Sequence, residues 1–327
     1  MTSRWKPTRR TVLAGAGAAL ITRPALAQAW PSRPITLVVP FPPGGTTDVT
    51  ARLVALEIAR PLGQTIIVEN KAGANGNIGS AQVARAAPDG YTLLATGVGS
   101  NAVNHGIYKS MPYDSNKDFA HITLMTTGPN VLVVNKDFPV KDLKEFIAHL
   151  KANPGKFNYA SSGMGASGHM AMELLKLKAG IDVQHVPYRG GAPAMNDVIA
   201  GQVPMMFINQ DMAFVQAAAG LVKMIGVASL ERNAAAPTTP TIAEQGFPGF
   251  AAVSWNALAA PAGTPKEIVE RLQIEVRKAL QSEAIQEKLV KNGFVVGGNT
   301  PAEQQKFVAE EVTKWGEVAR VAKVSVD

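Results

Sequence analysis

The residues of this chain that could do chemistry lie in short glycine-rich segments rather than in catalytic arrangements. The first segment, residues 40–48, reads Pro-Phe-Pro-Pro-Gly-Gly-Thr-Thr-Asp and stands between a β-branched run and a helical pattern. Its glycines let the backbone approach a bound group, and the unpaired N–H groups of a helix start attract anions. Thr46 or Thr47 is the predicted N-cap, with Asp48 placed to offset the helix dipole. The alternative is a tight strand-to-helix turn that binds nothing.

A second segment, residues 161–169, reads Ser-Ser-Gly-Met-Gly-Ala-Ser-Gly-His and offers three hydroxyls, backbone donors and another helix start. Gly163, Gly165 and Gly168 also match the G-x-G-x-x-G dinucleotide fingerprint. That fingerprint requires an acid at the far end of the following strand, whereas Asp182 precedes the strand predicted at residues 183–186. A dinucleotide site is therefore the less favoured interpretation, and no cofactor is expected.

Three more glycine-containing turns follow predicted strands. The turn at residues 188–194 carries Tyr188, which could supply an aromatic wall and a hydroxyl, and Arg189, the one cation in the three segments described so far. Arg189 is either a solvated surface charge or a ligand contact. The other turns are residues 72–77 and residues 96–101, the latter including Ser100. Five such turns at the carboxyl ends of strands predict a binding rim.

A search for catalytic arrangements finds one weak candidate. The chain has no cysteine and five histidines, and it contains no H-E-x-x-H, P-loop or G-x-S-x-G motif. An exported enzyme that used Ser162 or Ser167 would need a base, and His169 is the one candidate in the sequence. His169 could instead form a structural hydrogen bond or contact a ligand. The sequence therefore favours a binding protein without a metal over an enzyme.

These segments lie between predicted strands and helices that alternate along the chain. This alternation predicts an α/β fold. The predicted strands are Ile35–Val39, Thr65–Val68, Thr92–Ala95, Val131–Val134, Phe157–Ala160, Val183–Val186, Pro204–Phe207 and Met224–Val227. Helical patterns begin near residues 48, 143, 167, 192 and 211. Two later helices are predicted at residues 265–280 and 301–321, with proline at the first position and Thr264 or Thr300 as N-cap.

Two crossing segments are predicted, one near Gly128-Pro129 and one near residues 246–255. The chain would then leave a first domain, build a second and return. The predicted domains are residues 28–128 with 251–327, and residues 129–250. Two crossings imply a hinge and a cleft between the domains.

The formal charge of +7 is concentrated at the N-terminus. Residues 1–27 combine a basic start, an apolar stretch and Ala25-Leu26-Ala27, which predicts an export signal cleaved near Ala27. Thr8-Arg9-Arg10-Thr11-Val12-Leu13 is similar to a twin-arginine signal, although an ordinary Sec signal remains the alternative. Without this leader the chain has 27 basic against 25 acidic residues, so no nucleic-acid partner is expected.

Motifs along most of the chain match one family. They are residues 39–48, residues 68–79, Pro88-Asp89-Gly90-Tyr91-Thr92-Leu93-Leu94, residues 117–120, residues 161–169, Val186-Pro187-Tyr188-Arg189-Gly190, residues 240–246 and residues 260–265. In this order they resemble the periplasmic solute-binding receptors of tripartite tricarboxylate transporters, the Bug-type receptors. The resemblance covers essentially all of residues 33–310.

The resemblance implies a type II periplasmic-binding-protein fold with two α/β domains, two crossing segments and a ligand cleft. The expected activity is non-catalytic capture of a small carboxylate by domain closure, and the expected partner is a membrane permease. A sensor that reports to a signalling partner is the alternative. The receptor is expected to be a periplasmic monomer.

The resemblance also assigns a ligand-binding set, to which the rim turns add Ser100. The set is Phe41, Gly44, Gly45, Thr46, Asp48, Ser100, Ser162, Gly163, Gly165, Ser167, His169, Tyr188 and Asn209. Asn209 marks a departure, because family members often carry an acid just after the strand that ends near Phe207. A ligand ammonium would lose that partner, so dicarboxylates or aromatic carboxylates are expected rather than amino acids.

Overall fold

The strands and helices come from a computed structural model that describes residues 30–326. The strands are β1 (Ile35–Val39), β2 (Ile66–Asn70), β3 (Thr92–Gly97), β4 (Phe119–Asn135), β5 (Asn158–Ser161), β6 (Gln184–Pro187), β7 (Met205–Asn209), β8 (Val222–Val227), β9 (Val253–Pro261) and β10 (Val295–Val296). The helices are α1 (Thr46–Leu62), α2 (Asn77–Ala84), α3 (Asn104–Ile107), α4 (Leu143–Lys151), α5 (Ser167–Ala179), α6 (Gly191–Ile199), α7 (Gln210–Ala218), α8 (Lys266–Leu280), α9 (Glu283–Lys288) and α10 (Pro301–Ala322). The predicted leader, residues 1–27, lies outside the described residues.

The α/β class is confirmed, and each predicted strand is present with its ends moved by a few residues, except that β4 is much longer. The sheet order is β2-β1-β3-β9-β4-β7-β5-β6, and β8 and β10 also pair with β4. β1 pairs in parallel with β2 and β3, and β5 pairs in parallel with β6 and β7. We call the side with β1 to β3 the first lobe and the side with β5 to β8 the second lobe.

The long antiparallel strands β4 and β9 join the two lobes. β4 pairs with β9 from Phe119 to Pro129, and from Asn130 onward it pairs with β7 instead. This change of partner falls where the sequence predicts the first crossing segment. β9 carries the chain back to the first lobe and begins within the predicted second crossing segment. The residue limits of the two domains stay a prediction.

The C-terminal helix α10 packs against the return strand at its buried centre. Glu311 Oε2 accepts hydrogen bonds of 2.9 Å from the indole N–H groups of Trp255 on β9 and Trp315 on α10. All three side chains are buried. A single carboxylate therefore ties β9 to the last helix with charge-assisted bonds.

The helix starts agree only in part with the predicted caps. Thr300 is confirmed as the N-cap of α10 and forms a complete capping box with Glu303. The prediction for Thr264 is wrong, because its hydroxyl donates to the Pro261 carbonyl at 2.7 Å and Pro265 is the N-cap of α8. None of the helices between residues 30 and 326 is long and apolar enough to cross a membrane.

Candidate ligand-binding site

A cavity of about 290 Å³ lies between the two lobes. It is lined by residues 41–47, 97–99, 166–168, 189–193 and 207–209, together with Asn75, Asn130, Ser162, Met212, Ser254 and Trp255. The turns after β1 and β3 form one wall, and the turns after β5, β6 and β7 form the opposite wall. Asn130 and Ser254 reach it from the crossing strands β4 and β9. The predicted binding rim therefore encloses one cavity.

Four helices begin at this cavity. The first residues of α1, α5 and α6 and the N-cap of α7 all line it, and none of the four starts has a side-chain cap. The first N–H groups of each helix have no backbone carbonyl partner inside the helix. Each helix dipole favours a nearby anion by about 0.3–1 kcal/mol, and by up to about 2 kcal/mol where the site is partly buried. The four helix starts therefore favour the binding of an anion in this cavity.

The first wall is shaped by Asp48, which lies behind it. Its carboxylate accepts a hydrogen bond of 2.9 Å from the Gly44 N–H and pairs with Arg52 at 3.0 Å. Burial opposes ionisation, but the bonds from Arg52, Gly44 and Asn70 outweigh it and lower the pKa of the Asp48 carboxyl. Gly44 has a φ of +78°, which favours glycine. Asp48 thus holds the turn in the shape that presents Gly44 and Gly45 to the cavity.

The predicted cap of α1 is wrong, since Gly45 is its N-cap and both threonine hydroxyls bond elsewhere. Thr47 Oγ1 donates to Asn256 Oδ1 at 2.6 Å. Thr46 Oγ1 donates to Asp211 Oδ2 at 2.9 Å, in the other lobe. Tertiary bonds therefore replace the local cap.

Thr46, Asn209 and Asp211 form a hydrogen-bonded group across the cleft, which we call the inter-lobe bridge. Asn209 Nδ2 donates to Thr46 Oγ1 at 2.9 Å, while Asn209 Oδ1 accepts from Ser167 at 3.3 Å. Burial raises the pKa of the Asp211 carboxyl, although the bonds from Thr46 and the Met212 N–H oppose that shift. Thr46 and Asn209 line the cavity, whereas Asp211 lies outside its lining.

One charged side chain, that of Arg189, lines the cavity among the described residues. It is exposed and stands beside the start of α6. Phe207, Ile208 and Met212 add apolar surface nearby. The cavity thus combines backbone donors, one exposed cation and an apolar wall. No group of three or more His, Asp or Glu residues within positions 30–326 could hold a metal ion.

The predicted binding residues fall into two groups. Those that line the cavity are Phe41, Gly44, Gly45, Thr46, Ser162, Ser167 and Asn209. Those outside the lining are Asp48, Ser100, Gly163, Gly165, His169 and Tyr188. Ser100 is buried 3.3 Å from the Thr96 hydroxyl, and the Tyr188 hydroxyl donates to Asp197 at 2.6 Å. Ligand contact by either group stays a prediction.

The predicted ligand-binding set lacks three polar residues that line the cavity. Asn130 and Ser254 lie on the crossing strands, and Asn75 lies in the predicted rim turn at residues 72–77. Asn130 is buried, its Oδ1 accepts from Ser167 at 3.1 Å, and its Nδ2 donates to the Ala252 carbonyl at 2.9 Å. The available signal was an asparagine directly before the apolar run Val131–Val134. A polar side chain in that position needs buried partners.

We expect the free energy of unfolding to fall as the pH is lowered from 7 to 5. Burial lowers the pKa of four histidines, namely His105, His121, His169 and His185. Below the ordinary value near 6.5 the unfolded chain binds protons that the folded protein excludes, which favours unfolding. Each such histidine contributes up to about 1.4 kcal/mol per pH unit until its folded pKa is reached. Urea denaturation at a series of pH values measures the slope, and a flat profile from pH 7 to 5 would contradict it.

The fold and the cleft define a solute-binding receptor, and comparison with known proteins gives its family. Residues 50–323 match the family model described as tripartite tricarboxylate transporter family receptor. The chain belongs to this family. The receptor interpretation is confirmed over the exported enzyme, and the two-domain periplasmic-binding-protein fold is confirmed with it.

Three relatives illustrate the similarity. BugT of Bordetella pertussis is 36% identical over 301 residues, which cover 92% of this chain and 92% of BugT. The structure of Rhodopseudomonas palustris Rpa4515 with adipate has a TM-score of 0.87 at 36% identity, covering 91% of this chain and 100% of that one. MatC from the same organism, with bound malate, has a TM-score of 0.84 at 36% identity, covering 88% of this chain and 99% of that one. Other solved neighbours of the chain are a periplasmic transporter and the periplasmic binding protein BugD.

Proposed function

We propose that this protein captures a small carboxylate by closing its two lobes and delivers it to the membrane subunits of a tripartite tricarboxylate-type transporter. The convergence of four helix starts on one cavity carries the proposal, because it supplies donors for an anion without a buried counter-charge. The cavity is small for a ligand site, which favours a small solute. Relatives with adipate and malate support the ligand class.

The proposed contacts are those members of the predicted set that line the cavity. One carboxylate would lie between the turn at Gly44 and Gly45 and the turn at Ser162 and Ser167. A second carboxylate or an aromatic ring would extend towards Arg189 and the apolar wall. A dicarboxylate or an aromatic carboxylate is therefore favoured over an amino acid.

The remaining proposals concern export and domain limits. Residues 1–27 would direct the chain to the periplasm and be cleaved near Ala27. The first domain would comprise residues 28–128 and 251–327, and the second would comprise residues 129–250, since β4 changes partner at Pro129 and Asn130. N-terminal sequencing of the mature protein checks the cleavage site.

Thermal melting of the protein, refolded to remove bound solute, tests the ligand class. The panel contains dicarboxylates, tricarboxylates, aromatic carboxylates, amino acids and nicotinamide cofactors. A solute at a hundredfold excess over its Kd stabilises the protein by about 2.7 kcal/mol. A shift with one carboxylate class supports the proposal, and a shift with cofactors alone contradicts it. Unchanged uptake of that carboxylate by cells that lack the receptor would contradict delivery and favour a sensor.

Replacing Ser162 with alanine is expected to weaken carboxylate binding by about 0.5–1.5 kcal/mol, or about two- to twelvefold. Ser162 lines the cavity, and its hydroxyl makes no hydrogen bond with any other residue between positions 30 and 326, although its backbone carbonyl accepts from the Gly190 N–H. That hydroxyl is therefore available to a ligand. Titration calorimetry measures the change. Ser110→Ala, at an exposed position outside the cavity, is the matched control and should bind as the parent protein does.

A further inference from the structure

Two stacked imidazoles lie beneath the second wall of the cavity. His169 on α5 and His185 on β6 have ring centroids 3.9 Å apart and planes inclined by 18°. The segment above them, residues 161–168, we call the serine–glycine loop. Resting on the proposed function, we infer that His169 and His185 are positioning residues, which hold the serine–glycine loop in its ligand-binding shape without touching the ligand.

Each histidine holds one glycine of the loop. The Gly165 N–H donates to His169 Nδ1 at 3.0 Å. His185 Nε2 and Ser161 Oγ are hydrogen-bonded at 2.6 Å, and Ser161 Oγ in turn bonds the Gly163 N–H at 3.1 Å and the Gly163 carbonyl at 3.0 Å. His169 therefore holds Gly165 directly, and His185 holds Gly163 through Ser161.

The loop depends on such support because of its backbone. Gly163 has a φ of +141° and Gly165 a φ of +75°, values that strands and helices do not impose. Ser162, directly before Gly163, and Ala166 and Ser167, directly after Gly165, line the cavity. A change in either glycine thus moves groups that face the ligand.

The surroundings of the two rings keep them neutral and oriented. Tyr159 stacks on both rings, at 4.9 Å from His185 and 6.3 Å from His169. Glu173 bonds Tyr159 and Lys176 instead of an imidazole. Burial lowers the pKa of both histidines, and the charge of Lys176 acts in the same direction, whereas Glu173 opposes the shift at His185 without reversing it. A neutral imidazole has one acceptor nitrogen, and the Gly165 N–H assigns that role to Nδ1 of His169.

His169 bonds the loop through Nδ1, whereas His185 bonds it through Nε2. The same two substitutions, to asparagine and to glutamine, should therefore have opposite effects at the two positions. Asparagine places its amide oxygen near the position of Nδ1, whereas glutamine reaches the position of Nε2. Affinity for malate and adipate is measured for His169→Asn, His169→Gln, His185→Asn and His185→Gln. We expect His169→Asn and His185→Gln to bind within about threefold of the parent protein, and the other two to bind at least tenfold more weakly. Equal losses for Asn and Gln at either position would overturn the inference.

A second measurement separates this inference from the proposed function. Hydrogen exchange of the Gly163 and Gly165 amides, followed by NMR without ligand, should be faster for Gly165 in His169→Gln and faster for Gly163 in His185→Asn. Unchanged exchange in these folded variants would overturn the inference whatever the ligand proves to be. If the parent protein binds neither malate nor adipate, that proposed ligand choice fails, and the exchange rates still decide the role of the histidines.

Discussion

Replacing Gly45 with valine is expected to lower carboxylate affinity by about a hundredfold or more, which corresponds to about 2.7 kcal/mol. Gly45 lines the cavity at the start of α1, so the added methyl groups fill space next to the first N–H groups of that helix. The backbone tolerates the change, because φ is −78° and ψ is 165°, within the extended region that valine prefers. A Cβ there meets only the Pro42 carbonyl oxygen, at an ordinary 3.5 Å.

The fold should therefore survive the substitution of Gly45. Valine is a poorer N-cap than glycine, which costs about 1 kcal/mol of unfolding free energy. Calorimetric titration measures the affinity, and thermal melting verifies folding. Gly45→Ala, with one methyl group, should fall between the parent and the valine variant. Parent-like affinity in the valine variant would remove the first turn from the binding site.

Replacing Gly168 with alanine is expected to destabilise the protein by about 3 kcal/mol, the upper part of the range for overpacking. An added Cβ would lie 2.1 Å from the carbonyl oxygen and 2.9 Å from the carbonyl carbon of Phe207. Both atoms belong to the backbone of β7, so α5 or β7 must move. These two elements meet at the cavity, and ligand affinity should fall together with stability.

Gly316→Ala is the matched control for Gly168→Ala. Gly316 lies inside α10, and a Cβ added there has no heavy atom within 4 Å. Alanine in a helix interior should raise stability by about 0.5–1 kcal/mol. Urea unfolding of both variants gives the difference. Equal stabilities would show that the close approach of α5 to β7 does not constrain position 168.

Local sequence patterns predicted most of the strands and helices and the turns that form the walls of the cavity. The β-branched runs predicted the strands of both lobes, and paired glycines before helical patterns predicted the turns that line the cavity. The strand β4 was predicted only as Val131–Val134, because its first part, residues 119–130, contains threonine, glycine, proline and asparagine. Those residues are held as a strand by pairing with β9, which is a tertiary contact.

Tertiary contacts also explain what the sequence could not reveal about the candidate site. Thr46 is a good local cap by type, yet its hydroxyl bonds Asp211, which lies 165 residues away in the chain. Asp48 belongs to the predicted ligand-binding set, and in the structure it pairs with Arg52 and lies outside the cavity lining. Residue type thus predicted which turns line the cavity, whereas the side-chain partners depend on elements that are distant in sequence.

Within the inter-lobe bridge, the bond between Thr46 and Asp211 bears on how much solute the proposed receptor would need, as distinct from which solute it would select. Thr46 belongs to the first lobe and Asp211 to the second, so their bond links the two lobes without any solute. When only a fraction of molecules is in the arrangement that binds, the apparent Kd is the intrinsic Kd divided by that fraction. Asp211 lies outside the cavity lining, so on the proposed function its substitution would change this fraction without removing a side chain that lines the cavity. On the proposed function, the Thr46–Asp211 bond would set the external concentration at which the receptor fills.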